Sequence, residues 1–225
     1  MLGYRGHNDW RDMSEFVVHF TSATGDGKTA LGNLKSIVRH RKVEARNDFG
    51  AAKGLVMPEQ TQKSACFSEI PLDLLDRLVK RRSSYGVGFR KDFLVRAGGA
   101  PVWYLEESST IAKAVRELRV AVRDAKDWGS PFWTLTPFID EQWGGKSETK
   151  HRFEWEREWR VPGELGFGLD DVMFVFVPKQ EHEDWNCFWE NVTGGTGGSG
   201  LLFVDPLWDE NRLQDAFREV RCSGV

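Results

Sequence analysis

Two glutamates separated by one residue are the strongest candidates for chemistry in this sequence. Glu156 and Glu158 lie in the run FEWEREWR, residues 153–160. If that run is a strand, both carboxylates point to one face, because side chains alternate along a strand. One carboxylate can then stabilise positive charge that develops at an anomeric carbon, while the other orients or deprotonates an acceptor. The run also fits an exposed helix with pairs four residues apart, but the strand-like residues that follow and Gly163 soon afterwards favour the strand.

A histidine inside an apolar run is the second candidate. Residues 15–21 read EFVVHFT, which predicts a buried strand. Val17, His19 and Thr21 then share one face. A strand face with His and Thr suits the wall of a cleft, where the imidazole can donate to a ribose hydroxyl or a carbonyl. The alternative is a core histidine that is hydrogen-bonded to the backbone.

Ser68 and Glu69 end a predicted strand over residues 65–70. Strand ends and helix N-termini are common places for ligand-binding and catalytic groups. Pro71 follows at the position where a helix favours proline. The alternative function for Ser68 or Glu69 is therefore to cap the free N–H groups of that helix.

Tyr85 precedes Gly86, which permits a close approach of another group to the backbone. The tyrosine ring can form the floor under a nicotinamide or a base, or it can be a core aromatic with a bonded hydroxyl. Basic residues flank this segment and either hold phosphates or form a solvated face. The candidates for phosphate binding are Arg81, Arg82, Arg90 and Lys91.

The elements that position these residues follow from apolar periodicity and turn residues. Strands are predicted over residues 15–21, 65–70, 86–89, 101–105, 171–177 and 201–204. Helices are predicted over residues 29–39, 91–96, 111–126 and 210–220, and from Pro71 onward. Residues 46–63 are a long polar loop of the kind that binds ligands or forms a lid. The glycine-rich residues 194–200 are a flexible loop, because the 25 residues after them fall below the ~40 that fold alone. We therefore predict one α+β domain over residues 1–225.

Composition excludes some classes of protein. The 225 residues are 40% hydrophobic and 29% charged, which predicts an ordinary globular core. The formal net charge of −3 gives no global basic surface for nucleic acid. No apolar run approaches the ~20 residues that cross a bilayer, and residues 1–10 lack the apolar stretch of a signal peptide. The widely spaced Cys66, Cys187 and Cys222 indicate a reducing cytoplasm.

Motifs for several kinds of site are missing. The sequence has no phosphate-binding glycine loop followed by Lys and Ser or Thr, no H-E-x-x-H helix and no G-x-S-x-G elbow. His182 and Cys187 have no partners at metal-ligand spacing. We therefore predict no metal and no membrane partner.

The motifs together resemble a known family. Over residues 16–162 the order is HFT, CFSEIPL, YG-x-GF with a basic residue after it, PVWYL and E-x-EWR. This order resembles the AbiGi-like abortive-infection proteins of bacteria, a grouping similar to the wider ADP-ribosyltransferase-like superfamily. The resemblance implies a bent, split β-sheet core with flanking helices and a cleft for NAD or a nucleoside.

The resemblance also implies roles for individual residues. His19 would hold the ribose of NAD as co-substrate, Tyr85 would stack on nicotinamide, and Glu158 would stabilise the oxocarbenium-like state, with Glu156 as its E-x-E partner. Tyr85 departs from the pattern, because such a tyrosine usually begins a helix. Further ligand-binding candidates are Thr21, Ser68, Glu69 and Arg160. We predict that His19, Ser68 or Glu69, Tyr85 and Glu158 converge around one pocket, although they are far apart in the sequence.

Three functions follow as expectations. The first is an NAD-dependent ADP-ribosyltransferase or NAD glycohydrolase of anti-phage or toxin–antitoxin defence, with a protein, nucleic acid, small molecule or water as acceptor. The second is a base glycosylase that flips a base of phage DNA into the same pocket, against which the net charge counts. The third is a non-catalytic antitoxin or nucleotide-binding module.

Overall fold

The computed structural model describes residues 13–56, 61–69, 75–142, 154–194 and 201–222. Within these ranges the chain divides into two compact units. Unit 1 comprises residues 1–42, 68–93 and 166–225, and unit 2 comprises residues 43–67 and 94–165. The predicted Pro71 helix start and most of the predicted 194–200 loop lie outside the described residues.

Strands and helices alternate irregularly along the chain, which confirms the mixed α+β class. The strands are β1 Phe16–Phe20, β2 Lys42–Val43, β3 Asn47–Asp48, β4 Lys63–Glu69, β5 Gly86–Arg90, β6 Ala100–Pro101, β7 Trp103–Glu106, β8 Ile139–Gln142, β9 Glu158–Pro162, β10 Leu165–Gly166, β11 Val172–Phe176 and β12 Leu202–Val204. The helices are α1 Ala30–His40, α2 Leu75–Arg81, α3 Lys91–Arg96, α4 Thr110–Asp124, α5 Phe132–Leu135, α6 His182–Thr193 and α7 Glu210–Cys222. None of the helices in the described ranges combines the length and apolarity that a bilayer crossing requires.

Unit 1 is built on a mixed sheet. Strand β5 pairs antiparallel with β1 and with β11, and β11 pairs parallel with β12. The last two residues of β4 pair with β1, with Val18 opposite Ser68 and Val17 opposite Glu69. Val17 and Val18 are both fully buried, so β1 is covered on both faces, as its continuous apolar run predicts. The prediction of a strand through His19 is confirmed.

Aromatic rings fill the core of unit 1. The Phe174 ring lies edge-on to Phe16 and Phe217, with centroid distances of 5.6 and 4.7 Å. This ring occupies the space beside Gly88, where an added Cβ would come within 2.2 Å of a Phe174 ring carbon. Gly88 is therefore required by packing, because any side chain would displace the ring.

Helix α1 of unit 1 begins and ends with clear local signals. The Thr29 hydroxyl accepts from the Gly32 backbone N–H at 3.0 Å and caps the first turn. Arg41 ends the helix in the left-handed region, with φ 53° and ψ 41°. Glycine is the usual residue at such a position.

Unit 2 carries a second set of paired strands. Strands β3, β4, β9 and β6 are neighbours in that order. Strands β7 and β8 pair in parallel, with Tyr104 opposite Asp140. Two small clusters form the core under helix α4, one around Phe132 and Trp133 and the other around Leu105 and Ile139.

Helix α4 confirms the prediction over residues 111–126, but its apolar side is only partly covered. Val115 and Val122 pack against the core clusters of unit 2. Ile111 and Leu118 are 50% and 48% exposed. The apolar spacing therefore predicted the helix correctly, whereas three of its five large apolar residues, Ile111, Leu118 and Val120, are exposed.

The predicted strand over residues 153–160 is wrong in its first half. Glu154–Glu156 form a 3-10 turn, and β9 begins only at Glu158. Between them Arg157 has φ 44°, in the left-handed region. This conformation breaks the alternation of side chains, so Glu156 does not share a strand face with Glu158.

Other differences concern elements that the sequence did not indicate. Helix α6 and strand β8 were not predicted, and the predicted strand over residues 101–105 is two short strands, β6 and β7. The predicted loop 46–63 includes the short strand β3. The single-domain assignment and the ADP-ribosyltransferase-like core stay predictions.

Candidate functional site

A buried arginine on β9 organises the polar interior of unit 2. The Arg160 side chain is 2% exposed. Its Nε donates to Glu158 Oε1 at 2.8 Å, and its Nη2 donates to Glu158 Oε2 at 3.1 Å. The two residues share a strand face because they are two apart. Pairing of Ala100 with Arg160 across β6 and β9 fixes their position.

Three further groups complete the environment of this pair. Arg160 Nη2 donates to Asp140 Oδ2, and Nη1 donates to the Pro137 carbonyl, each at 2.8 Å. The Phe49 ring centroid lies 4.5 Å from the guanidinium carbon. The arginine thus makes four hydrogen bonds inside unit 2, which satisfies the requirement that a buried charge be paired and bonded.

Tyr104 and Cys66 contact the carboxylate of Glu158. The Tyr104 hydroxyl donates to Glu158 Oε2. Burial, and then the Glu158 charge, raises the pKa of Tyr104 and of the half-buried Cys66 well above their usual values. Both side chains therefore stay protonated at neutral pH. They donate hydrogen bonds to the carboxylate and do not act as bases or nucleophiles.

Glu158 stays ionised despite its burial. Burial alone would raise the pKa of Glu158, but hydrogen bonds and charge from Arg160, with smaller help from Tyr104 and Cys66, hold the pKa below 4.5. Together with Asp140, the two carboxylates and one guanidinium carry a net charge of −1. Asp140 is 35% exposed and Glu158 13%, so the excess charge lies nearer solvent at Asp140. The Arg160 cluster comprises Cys66, Tyr104, Asp140, Glu158 and Arg160.

The Arg160 cluster unites motifs that are far apart in the sequence. Cys66 comes from CFSE, Tyr104 from PVWYL, and Glu158 and Arg160 from E-x-EWR. Sequence reasoning singled out the last two and missed the others. The motifs contained Cys66 and Tyr104, but nothing in the sequence indicated Asp140, which reaches the cluster through the parallel pairing of β7 with β8.

Glu156, the predicted partner of Glu158, is buried at 5% exposure in the 3-10 turn. The paired-carboxylate strand geometry on which its acid–base role was predicted is not present. A role for Glu156 at a site must therefore come from its position on the turn before Arg157.

The predicted ligand residues of unit 1 lie along β1 and its neighbours. His19, half-buried, is opposite Val87 on β5. Thr21 is 3% exposed, donates its backbone N–H to the Tyr85 carbonyl at 3.0 Å, and donates its hydroxyl to the Ala30 carbonyl at 2.8 Å. Thr21 therefore anchors the start of α1, a structural task that the sequence did not suggest.

Tyr85 is engaged through its hydroxyl. That hydroxyl donates to Glu181 Oε1 at 2.6 Å. Burial and the Glu181 carboxylate raise the pKa of Tyr85 to about 12. The other carboxylate oxygen of Glu181 is buried and accepts no hydrogen bond among the described residues. The Tyr85–Glu181 pair is thus a second polar site, and the sequence did not indicate Glu181.

Two residues of the predicted basic patch, Arg90 and Lys91, contact carboxylates. Lys91 Nζ lies 2.6 Å from Glu69 Oε1, and both side chains are 10% exposed. Glu69 Oε1 also accepts from the Ser14 backbone N–H. Arg90 lies 3.7 Å from Glu15 and 3.4 Å from Asp92. Ser68, Glu69 and Lys91 are buried, so phosphate binding by Arg81, Arg82, Arg90 and Lys91 stays a prediction.

The predicted site residues fall into the two units. His19, Thr21, Ser68, Glu69, Tyr85 and the basic patch belong to unit 1, and Glu156, Glu158 and Arg160 belong to unit 2. Their convergence on one pocket stays a prediction. In the part of the chain that the structure describes, no group of three His, Cys, Asp or Glu side chains could hold a metal ion.

Comparison with known proteins gives one match. A family model described as "Putative abortive phage resistance protein AbiGi, antitoxin" matches residues 35–184, which is 150 of the 225 residues. The matched part contains the Arg160 cluster and begins after His19 and Thr21. No curated protein and no solved structure matches the chain. The resemblance to this family is thereby confirmed, while the relation to the ADP-ribosyltransferase-like superfamily stays a prediction.

Proposed function

This chain belongs to the AbiGi family of abortive phage resistance proteins, and we propose that it is an antitoxin that acts by binding its toxin. The description of the family names an antitoxin. An antitoxin that works by binding needs a surface that a toxin can cover and does not need turnover. Helix α4 supplies such a surface.

The observation that carries this proposal is an uncovered apolar stripe on α4. Ile111, Ala114, Leu118 and Ala121 are all exposed, with Ile111 at 50% and Leu118 at 48%. Their spacing of three, four and three residues places them on one side of the helix. Single exposed apolar residues are ordinary, but an aligned stripe marks a contact surface.

The form of the stripe suits a helix of the toxin. Apolar residues at alternating three and four spacing are the pattern with which one helix packs against another. Ala114 lies between the larger Ile111 and Leu118, and Ala121 follows Leu118. These small side chains let a partner backbone approach closely. The helix itself is held firmly, because Arg116 pairs with Glu141 at 2.6 Å and Arg119 donates to the Ala51 carbonyl at 2.8 Å.

The Arg160 cluster fits a binding protein as a structural element. Both oxygens of Glu158 accept from Arg160, and one also accepts from Tyr104. A carboxylate whose charge is already balanced by a guanidinium adds little stabilisation to a cation that forms during a reaction. The cluster is therefore assigned to the stability of unit 2.

A second candidate is cleavage of an N-glycosidic bond, with NAD as co-substrate. It is favoured by the net charge of −1 of the Arg160 cluster, since an oxocarbenium-like state is positively charged. An ADP-ribosyltransferase or an NAD glycohydrolase would use Glu158 or the more exposed Asp140 for that purpose.

One experiment separates the two candidates. Bacteria express the cognate toxin from one inducible promoter and this chain from another, and growth is followed. The antitoxin function requires that the chain restore growth while the purified chain releases no nicotinamide from NAD. Failure to restore growth by soluble wild-type chain contradicts the proposal, and nicotinamide release establishes the second candidate.

A further inference from the structure

A surface pocket lies between the C-terminal turns of α1 and α6 in unit 1. Its volume is about 500 Å³, and its lining comprises Arg39, Arg41, Phe188, Asn191 and Val192. That volume falls in the range of small-molecule sites. None of the lining residues is acidic.

Three cations lie at or beside this pocket. Lys35, Arg39 and Arg41 make no ion pair with a carboxylate of the described residues. Lys35 Nζ and the Arg39 guanidinium carbon instead lie 5.5 and 5.6 Å from the Phe188 ring centroid. Elsewhere in unit 1, exposed cations such as Lys80 and Arg218 do have a carboxylate at 2.9 Å. An unbalanced group of three positive charges attracts an anion.

Arg41 adds an independent observation. It adopts the left-handed conformation, with φ 53°, and its backbone N–H donates to the Ile37 and Val38 carbonyls. Glycine would fit this cap without strain. A strained residue with a long, unpaired cationic side chain at a pocket is the kind of outlier from which a function can be inferred.

We propose that this pocket binds the phosphate of a nucleotide, either free or within a single strand of nucleic acid. The planar guanidinium groups of Arg39 and Arg41 match two phosphate oxygens. A guanidinium beside an aromatic ring, as Arg39 is beside Phe188, also offers a surface for a base. Asn191 Nδ2 donates to the Cys187 carbonyl at 2.8 Å, which leaves its amide oxygen to accept from a base. The pocket shares no lining residue with the basic residues 81–91.

The test measures binding by the full chain to three probes. Fluorescence anisotropy follows labelled (dT)12, calorimetry follows ADP, and poly-glutamate of the same charge as (dT)12 serves as a competitor. Saturable binding of ADP indicates a free nucleotide, and binding of (dT)12 alone indicates a strand. If neither binds, or if poly-glutamate displaces (dT)12 at equal charge, the proposal is wrong.

Two variants assign the binding to this pocket. Arg39→Gln is expected to weaken binding by about tenfold or more, since a charged hydrogen bond is lost. Arg41→Gly is expected to weaken binding similarly while the melting temperature stays the same or rises, because the strained cap is relieved. Weaker binding without a lower melting temperature separates a lost ligand contact from a damaged fold.

The control is Arg218→Gln, which has the same residue change and the same change in net charge as Arg39→Gln. This variant is expected to bind as the wild type does. For the strand, the slope of log affinity against log salt is expected near −2 for three contacts and to shrink by about 0.7 in Arg39→Gln. If the control loses as much affinity as the pocket variants, the pocket is not the site.

Discussion

The guanidinium of Arg160 binds both carboxylate oxygens of Glu158, the residue two positions before it on β9. The carboxylate that the sequence presented as a catalytic group thus has a permanent partner on its own strand. Asp140 Oδ2 accepts from the same Nη2 that donates to Glu158 Oε2. Any chemistry at Glu158 would have to use a carboxylate whose charge is already shared.

Loss of Arg160 is expected to destabilise unit 2 strongly. Arg160→Gln leaves the buried Glu158 charge without its partner, which typically costs about 3–5 kcal/mol. The free energy of unfolding is measured in urea. The matched control is Arg160→Gln combined with Glu158→Gln, which removes the orphaned charge and should recover part of the loss. Equal stability of the single variant and the wild type would contradict the structural role.

The free energy of unfolding is expected to fall in acid because Glu158 becomes protonated. Because its folded pKa lies below its usual 4.5, the unfolded state binds the proton more readily. The contribution is therefore complete above the usual pKa and is lost as the pH falls through the folded pKa. Unfolding free energies of wild type and Glu158→Gln are compared from pH 7 to pH 3. The difference between the two unfolding free energies should narrow below about pH 5. A difference that stays constant from pH 7 to pH 3 would contradict the role of Glu158 in acid stability.

The second candidate function makes its own prediction. If the chain cleaves NAD, Glu158→Gln is expected to lower turnover by about 10²–10³ or more, because a fixed negative charge is lost from the transition state. Nicotinamide release is measured, with thermal unfolding as the folding control. Asp140→Asn distinguishes which carboxylate acts. If Glu158→Gln keeps wild-type turnover, Glu158 is not the catalytic carboxylate. Asp140 and then Glu69 would be the carboxylates to test.

The antitoxin surface is tested by two substitutions on one helix. Leu118→Glu puts a charge into the apolar stripe and is expected to weaken toxin binding at least about thirtyfold, as for a hot-spot residue. Val120→Glu is the matched control, since Val120 is 40% exposed and points to the opposite side of α4. Affinity for the toxin and rescue of growth are measured for both. Equal effects of the two variants would exclude the stripe as the contact surface.

Packing at Gly88 is expected to tolerate no side chain. Gly88→Ala forces the Phe174 ring to move, because the new Cβ would lie 2.2 Å from it, at a cost of about 1–3 kcal/mol. Gly166→Ala is the control, since a Cβ there meets open space. Adding Phe174→Leu to Gly88→Ala should return part of the stability in thermal unfolding. Two alanine variants with equal melting temperatures would contradict this packing.

Apolar continuity made much of the fold predictable. Strands β1 and β11 are uninterrupted apolar runs, and α4 repeats its apolar residues every three or four positions. Helix α6 escaped prediction because its sequence, HEDWNCFWENVT, has aromatic residues among polar ones and no aliphatic repeat. The turn before β9 escaped because the left-handed conformation of Arg157 is not favoured by its residue type.

Residues of the candidate site were predictable only where they lie in one segment of the sequence. Glu158 and Arg160 were identified because they alternate in one strand. Asp140 lies 20 positions from Arg160 in the sequence, and only the parallel pairing of β7 with β8 sets it opposite Tyr104. The pairing of Tyr85 with Glu181 spans 96 positions. Partners brought together by tertiary structure leave no local pattern.

The division into units has a consequence for synthesis on the ribosome. Unit 2 is complete once residue 165 has been made, whereas unit 1 needs residues 166–225 as well. At roughly 5–20 residues per second, translation of that last stretch takes several seconds. During this time β5 has β1 on one side, but β11, which pairs with its other edge, is still being made. All of unit 2 is therefore synthesised while one edge of β5 in unit 1 still lacks its partner strand.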